Sequence, residues 1–257
     1  QEGPGGRVYV ISSRTGNIIR MLPVPNQRES WSVPIYLKHA NSHRIIYGSG
    51  GERKDGYFQS QDIETGQVHW SVFSENKGVI SSPLLIYENG RPIVVGNTMN
   101  GELMTMDALT GDVIWKASVG DVYETYSSVA MIKFENKSYH DVVSVFSRGV
   151  WPKYESATLF IFDGKTGEVI FRKKTGFCNG ASSPVIADVD GDYLDDIVLI
   201  TCTDRQPRLL VINNQKKEIF SEVLSSGAYA TPIVSDLDQN GQLDIIISRF
   251  HFLNRFY

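Results

Sequence analysis

Short apolar runs separated by turn residues recur along the chain with a period near fifty residues, and two signals interleave within each period. The first is a polar turn between strands that alternate apolar and polar positions: Arg14-Thr15-Gly16-Asn17-Ile18, Asp62-Ile63-Glu64-Thr65-Gly66-Gln67-Val68-His69-Trp70, Asp107-Ala108-Leu109-Thr110-Gly111-Asp112-Val113-Ile114-Trp115 and Asp163-Gly164-Lys165-Thr166-Gly167-Glu168-Val169-Ile170-Phe171. A degenerate fifth copy runs from Asn213 to Phe220. The Thr-Gly glycines at 16, 66, 111 and 167 are spaced by 50, 45 and 56 residues. Each copy predicts a hairpin, because Asp can bond its own turn backbone and Gly accepts a positive φ. The Val/Ile and Trp/Phe positions that follow resume an inward-facing strand.

The second signal is a Ser/Thr-Pro or Ser-Val step that opens an apolar strand: Ser32-Val33-Pro34-Ile35, Ser81-Ser82-Pro83-Leu84, Ser127-Ser128-Val129-Ala130, Ser182-Ser183-Pro184-Val185 and Ala230-Thr231-Pro232-Ile233. A short turn and a second apolar run follow each, as in Ile93-Val94-Val95, Asp141-Val142-Val143, Asp196-Ile197-Val198-Leu199-Ile200 and Asp244-Ile245-Ile246. Proline at the first residue of a strand removes no ladder hydrogen bond, so it can recur there. Every period therefore holds four short strands.

Four antiparallel strands repeated at this period describe an all-β fold, a β-propeller. The Asp-x-x-Thr-Gly-x-Val-x-Trp turns resemble the repeat of the pyrroloquinoline-quinone-type (PQQ-like) propellers, and that resemblance implies a tryptophan docking neighbouring blades. The Asp-rich loops treated below resemble the FG-GAP repeats of integrin-like propellers. The chain starts with a hairpin lacking its opening pair (6–22) and ends with an opening pair lacking its hairpin (228–248). The reading is one propeller domain over residues 1–257 with five blades, both termini completing one blade and hiding free edges. The alternative is part of a seven- or eight-bladed propeller. The opening Gln1 reads as a processed or trimmed segment, and the aromatic-rich 249–257 reads as a truncation point.

Composition narrows the function. The 257 residues are 41% hydrophobic and 21% charged, as in a folded protein, and 25 basic against 29 acidic residues give a net charge of −4 with no basic block. That balance argues against nucleic acid. No apolar run approaches the ~20 residues of a membrane-spanning helix. The two cysteines, Cys178 and Cys202, make no metal motif; they flank strands that could bring them opposite each other, as a disulfide or as two buried thiols. Asn136-Lys137-Ser138 fits a glycosylation sequon, a pattern short enough to arise by chance.

Two loops carry most of the chemistry. The fourth period holds Asp188-Val189-Asp190-Gly191-Asp192-Tyr193-Leu194-Asp195-Asp196, and the fifth holds Asp236-Leu237-Asp238-Gln239-Asn240-Gly241-Gln242-Leu243-Asp244. Oxygen side chains stand at loop positions one, three, five and nine, with the position-seven carbonyls of Leu194 and Gln242 free to join them. Ca²⁺ takes about 6–8 oxygens, and alternating carboxylates on a tight loop supply them; Mg²⁺ prefers to keep its waters. Two Ca²⁺ sites are expected, at Asp188, Asp190, Asp192, Leu194 and Asp196, and at Asp236, Asp238, Asn240, Gln242 and Asp244. Without an ion these would be capped polar turns with self-repelling carboxylates. The corresponding loops of the other periods are short or non-acidic and are expected to bind no metal.

The opposite end of each blade carries Arg and aromatic residues on its connections. Arg28, Trp31, Arg53, Tyr123, Tyr126, Arg148, Trp151, Tyr154 and Arg205 are the candidate ligand-binding residues, with the longest loops, 48–57 and 147–157, as a rim. No adjacent cysteine pair and no hydrolase motif is present, so no PQQ cofactor is expected and the resemblance is read as architecture. The leading expectation is a calcium-stabilised binding or scaffold module for protein or carbohydrate, extracellular or periplasmic. The alternative is a glycosidase or lyase using Glu52, Glu124, Glu155 or Asp204.

Overall fold

The apolar runs become antiparallel strands, and the computed structural model describes residues 5–151, 153–176, 182–203, 206–224 and 230–248. The chain divides into two compact units, residues 1–120 and 121–257.

In the first unit, β1 (Arg7–Ile11) and β2 (Ile18–Pro23) form a two-stranded sheet. Strands β3 (Ile35–His39), β4 (Ser42–Gly51), β5 (Lys54–Asp62) and β6 (Val68–Ser74) form the first four-stranded sheet in chain order. Strands β7 (Leu84–Glu88), β8 (Arg91–Asn97), β9 (Glu102–Asp107) and β10 (Val113–Ser118) form the second. In the second unit, the third sheet is built from β12 (Ala130–Ile132), β13 (Asp141–Val150), β14 (Lys153–Phe162) and β15 (Val169–Gly176), with the two-residue β11 (Tyr123–Glu124) added to the far half of β13. The fourth contains β16 (Val185–Ala187), β17 (Asp196–Thr203), β18 (Gln206–Ile212) and β19 (Glu218–Val223), and β20 (Ile233–Ser235) pairs with β21 (Asp244–Ile246). The architecture is the all-β, four-stranded antiparallel repeat of a β-propeller. The two pairs expected to complete one blade, β1–β2 and β20–β21, are each recorded as a two-stranded sheet.

The hairpin reading holds at residue level. Gly16, Gly66, Gly111 and Gly167 have φ between 73° and 79°, and the degenerate copy places Lys216 in the same left-handed region at 64°. A register shift beside the turn recurs in all five hairpins, the one-residue bulge that a left-handed residue introduces.

Each sheet contributes two apolar faces, which explains why the second strand of a period reads as a continuous apolar run rather than an alternating one. In β17, Ile197 and Leu199 join Leu159 and Ile161 of the third sheet, whereas Val198 and Ile200 join Leu224 and the flanking Val234 and Ile245. The first unit packs Ile46, Phe58 and Trp70 against Val94, Met104 and Met106. Trp70 donates from Nε1 to the Ala108 carbonyl at 3.0 Å, and a Cβ added at Gly111 would lie 2.8 Å from its ring, so this tryptophan seats on the next sheet's hairpin. The Ser/Thr of the strand-opening steps has a second job. Ser82 Oγ accepts the Val33 N–H, Ser183 Oγ accepts that of Ser128, and Thr231 Oγ1 accepts that of Ser183, at 2.9–3.0 Å.

Candidate functional site

The hairpin aspartates define one end of each sheet. Asp62, Asp107 and Asp163 each point Oδ1 at the backbone N–H groups of their own turn, with distances of 2.8–3.1 Å. Their second oxygen is held from the connection between the first two strands of the same sheet or the first residue after it: Ser42 Oγ donates to Asp62, the Arg91 guanidinium to Asp107, and Lys137 Nζ to Asp163. Hairpins and inner loops thus share an end, as the sequence implied. In the fourth sheet the aspartate is replaced by Asn213, and the loop that faces it is acidic.

That loop and its counterpart in β20–β21 have matching internal bonding. Asp196 Oδ2 accepts the Val189 N–H at 3.0 Å, and Asp244 Oδ2 accepts the Leu237 N–H at 3.1 Å. Asp188 accepts the N–H groups of Gly191 and Tyr193; Asp236 accepts those of Asn240 and Gly241. Asp192 Oδ1 and Asn240 Oδ1 accept the N–H of Leu194 and Gln242. The result is two groups, Asp188, Asp190 and Asp196, and Asp236, Asp238 and Asp244, each offering oxygens within 4.8 Å of one another. Asp196 is 0% exposed, and its Oδ1 has no hydrogen-bond partner. A carboxylate oxygen buried without a donor is costly, and a hard cation satisfies it. Burial, together with the nearby Asp190 and Asp192, raises the Asp196 pKa above the usual carboxylate range. The donor set is all oxygen, which fits Ca²⁺.

The two loops place their left-handed non-glycine residue at different positions. Each needs positive φ at positions four and six; the first supplies Gly191 (81°) and Tyr193 (68°), the second Gln239 (60°) and Gly241 (87°). Asn214, which the sequence reading did not single out, positions the fourth-sheet loop. Its Nδ2 donates to the carbonyls of Lys133 and Asp195, and its Oδ1 accepts the Glu135 N–H.

At the other end of the third sheet the candidate ligand residues converge. Trp151, 44% exposed, stands edge-on to Tyr126 with ring centroids 6.2 Å apart and lies 6.2 Å from Tyr154. Glu124 and Tyr154 are each 2% exposed, and Glu124 Oε2 accepts the Trp151 N–H at 3.1 Å and the Tyr154 hydroxyl at 2.9 Å. Burial and the Glu124 carboxylate push the Tyr154 hydroxyl pKa up, so it stays a donor. Tyr154 is therefore a support beneath the surface, not an exposed contact. Tyr123 packs edge-on against Phe160 at 6.1 Å, and Arg148 pairs with the exposed Glu155 at 3.1 Å. In the first unit, Arg28 pairs with Asp55 at 2.6 Å, Arg53 is exposed, and Trp31 is 69% exposed. Of the carboxylates considered for acid–base work, Glu124 is committed to Trp151 and Tyr154. Arg205, Asp204 and Cys178 lie outside the described residues, as does the side chain of Cys202. Among the described residues no helix is long and apolar enough to cross a membrane.

A family model described as outer membrane protein assembly factor BamB matches residues 2–130, half of the chain. No curated protein sequence matches. Among solved structures, BamB from Moraxella catarrhalis is similar with a TM-score of 0.52 and 14% identity, over 88% of this chain and 61% of that one. Sqt1 from Saccharomyces cerevisiae gives 0.62 and 13%, over 95% and 63%, and a quinohemoprotein alcohol dehydrogenase from Comamonas testosteroni gives 0.51 and 12%, over 90% and 58%. The chain spans about three fifths of the length of each of these proteins, and at such identities the likeness is one of fold. Its Thr-Gly hairpins, its four-stranded sheets and the match over half its length agree: the chain belongs to the BamB family of PQQ-type β-propellers.

Proposed function

We propose that this protein is a protein-binding propeller scaffold working outside the cytoplasm, with two calcium ions holding its acidic loops. The observation that carries the binding reading is Trp151: a half-exposed tryptophan whose backbone is clamped by a buried carboxylate and whose ring is flanked by two tyrosines. A large aromatic fixed before the partner arrives loses little entropy on binding, which is the character of an interface hot spot. Tyr126 stands beside it, Tyr123 and Arg148 lie on the same end of the third sheet, and Arg28, Trp31 and Arg53 offer a second patch in the first unit. The family's description as an assembly factor supports a protein partner over a carbohydrate.

The metal reading is supported by the orphaned Asp196 Oδ1 and by the FG-GAP resemblance of both loops. Asp188, Asp190, Asp192 and Asp196 with the Leu194 carbonyl would hold one ion; Asp236, Asp238, Asn240 and Asp244 with the Gln242 carbonyl would hold the other. An extracytoplasmic setting follows from the need for free calcium.

Two measurements test this. A ligand that binds only the folded state at 100 times its Kd adds about 2.7 kcal/mol, so EDTA should lower the melting temperature by about 5–10 °C. Asp196→Ala should reduce that sensitivity and Asp196→Ala with Asp244→Ala should remove it; an unchanged melt under EDTA, with Asp196→Ala equally neutral, rejects the metal. For binding, the wild type and Trp151→Ala are applied to an array of random peptides and to a glycan array. Loss of peptide binding by tenfold or more in Trp151→Ala supports the proposal. Equal peptide binding by both proteins overturns the role of Trp151, and signal on glycans alone moves the partner to carbohydrate.

A further inference from the structure

The loop between β12 and β13 has the length and closing register of the two acidic loops, without their left-handed residues at positions four and six. Eight residues, 133–140, separate its closing pair Ile132↔Asp141, as 188–195 separate Ala187↔Asp196 and 236–243 separate Ser235↔Asp244. Asp141 therefore occupies the register of Asp196 and Asp244, and like Asp196 it is fully buried with one carboxylate oxygen, Oδ2, lacking a partner. The differences are at position one, where Lys133 replaces Asp188 and Asp236, and at position five. Where the other loops have Asp192 and Asn240, this one has Lys137.

Lys137 turns inward. Its Nζ is 2.8 Å from Asp141 Oδ1 and 2.8 Å from Asp163 Oδ2, and it lies 4.9 Å from the Tyr139 ring centroid. The remaining bonds close around it: Asp141 Oδ1 also accepts the Gly164 N–H, and Asp163 Oδ2 also accepts the Tyr139 hydroxyl at 2.7 Å. Only 23% of the lysine side chain is exposed. Burial works against its charge, and the hydrogen bonds it donates to Asp141 and Asp163 outweigh burial, so its pKa is raised.

We infer that this is a third cation loop whose cation is the chain's own ammonium, and that removing the Lys137 side chain opens a site for a small exogenous ammonium between Asp141 and Asp163. The inference rests on the metal reading of the acidic loops only for the analogy; the two carboxylates and the ammonium between them stand without it. One lysine pins the inner loop to the hairpin of its sheet, at any calcium concentration.

The test is chemical rescue of Lys137→Ala, followed by thermal unfolding in EDTA. Breaking a buried pair by removing one partner is strongly destabilising, and the melting temperature should fall by about 10 °C. Methylammonium chloride should restore a substantial part of the loss, while tetramethylammonium chloride at equal ionic strength, too bulky for two 2.8 Å contacts, should not. Lys137→Met, which fills the space, should be destabilised and unresponsive to either salt. A Lys137→Ala melt equal to wild type, or equal responses to the two salts, overturns the inference. Calcium separates the two readings: rescue by methylammonium with an EDTA-insensitive wild type keeps this loop and rejects the metal, and the converse result does the opposite. Should Lys137→Ala not fold, a double-mutant cycle of Lys137→Gln with Asp163→Asn decides; absence of coupling overturns the inference.

Discussion

In the first sheet Trp70 is buried and donates to the Ala108 carbonyl, whereas Phe220, at the matching place four residues after the turn of the fourth sheet, is 42% exposed. The hairpin residue differs as well: Asp62 caps its turn and takes Ser42 on its second oxygen, while Asn213 brings no charge and faces a loop of carboxylates. The strand order is the same in both. The first repeat closes its hairpin end with side chains already in place; in the calcium reading proposed above, the fourth keeps an arrangement that an ion from solution would complete. The two solutions predict different sensitivities.

The largest effect is expected from Trp70→Ala. Losing a buried indole and its hydrogen bond should cost about 3–5 kcal/mol, read as a lowered denaturation midpoint of equal size with calcium or EDTA. A calcium-dependent loss would break the contrast between the two sheets. Acid sharpens it next. Hydrogen bonds from the Thr65 backbone, aided by Thr65 and Ser42 side chains and opposed by burial, lower the Asp62 pKa from 3.8 to about 2. A carboxyl whose folded pKa is depressed stabilises above its unfolded pKa and loses that contribution as pH falls through the folded one. Asp62→Asn should thus be less stable than wild type at pH 7, and the gap should narrow between about pH 4 and pH 2. A gap independent of pH would show that the charge of Asp62 is idle. The smallest effect concerns strain in the fourth sheet's loop. Tyr193 is 94% exposed at φ 68°, so Tyr193→Gly removes a left-handed strain of about 1 kcal/mol and loses no packing. Stability should rise by up to that amount, and a fall in calorimetry would show that the tyrosine has a contact of its own.

The hairpins were legible because each is local: Asp, Thr and Gly act within six residues, and their spacing repeats. The acidic loops were legible for the same reason. Lys137 was not, since its partner Asp163 lies 26 residues away and only the sheet register joins them. The Ser/Thr-Pro step was half legible. Proline announces a strand start by itself, but the hydroxyl before it acts on a backbone N–H about fifty residues back, which no local pattern shows. Tyr154 read as a surface contact because an aromatic among charges on a hairpin usually is one; the buried Glu124, 30 residues earlier, draws it inward.

The two-faced strand β17 carries a further consequence for how the molecule comes apart. Ile197 and Leu199 belong to one core and Val198 and Ile200 to the next, so opening either core bares half of the same strand. Neighbouring sheets in this unit cannot melt independently; disorder entering at one would spread to the next, as in a row of coupled repeats. Amide hydrogens of β17 should then exchange with solvent only at the rate of cooperative unfolding.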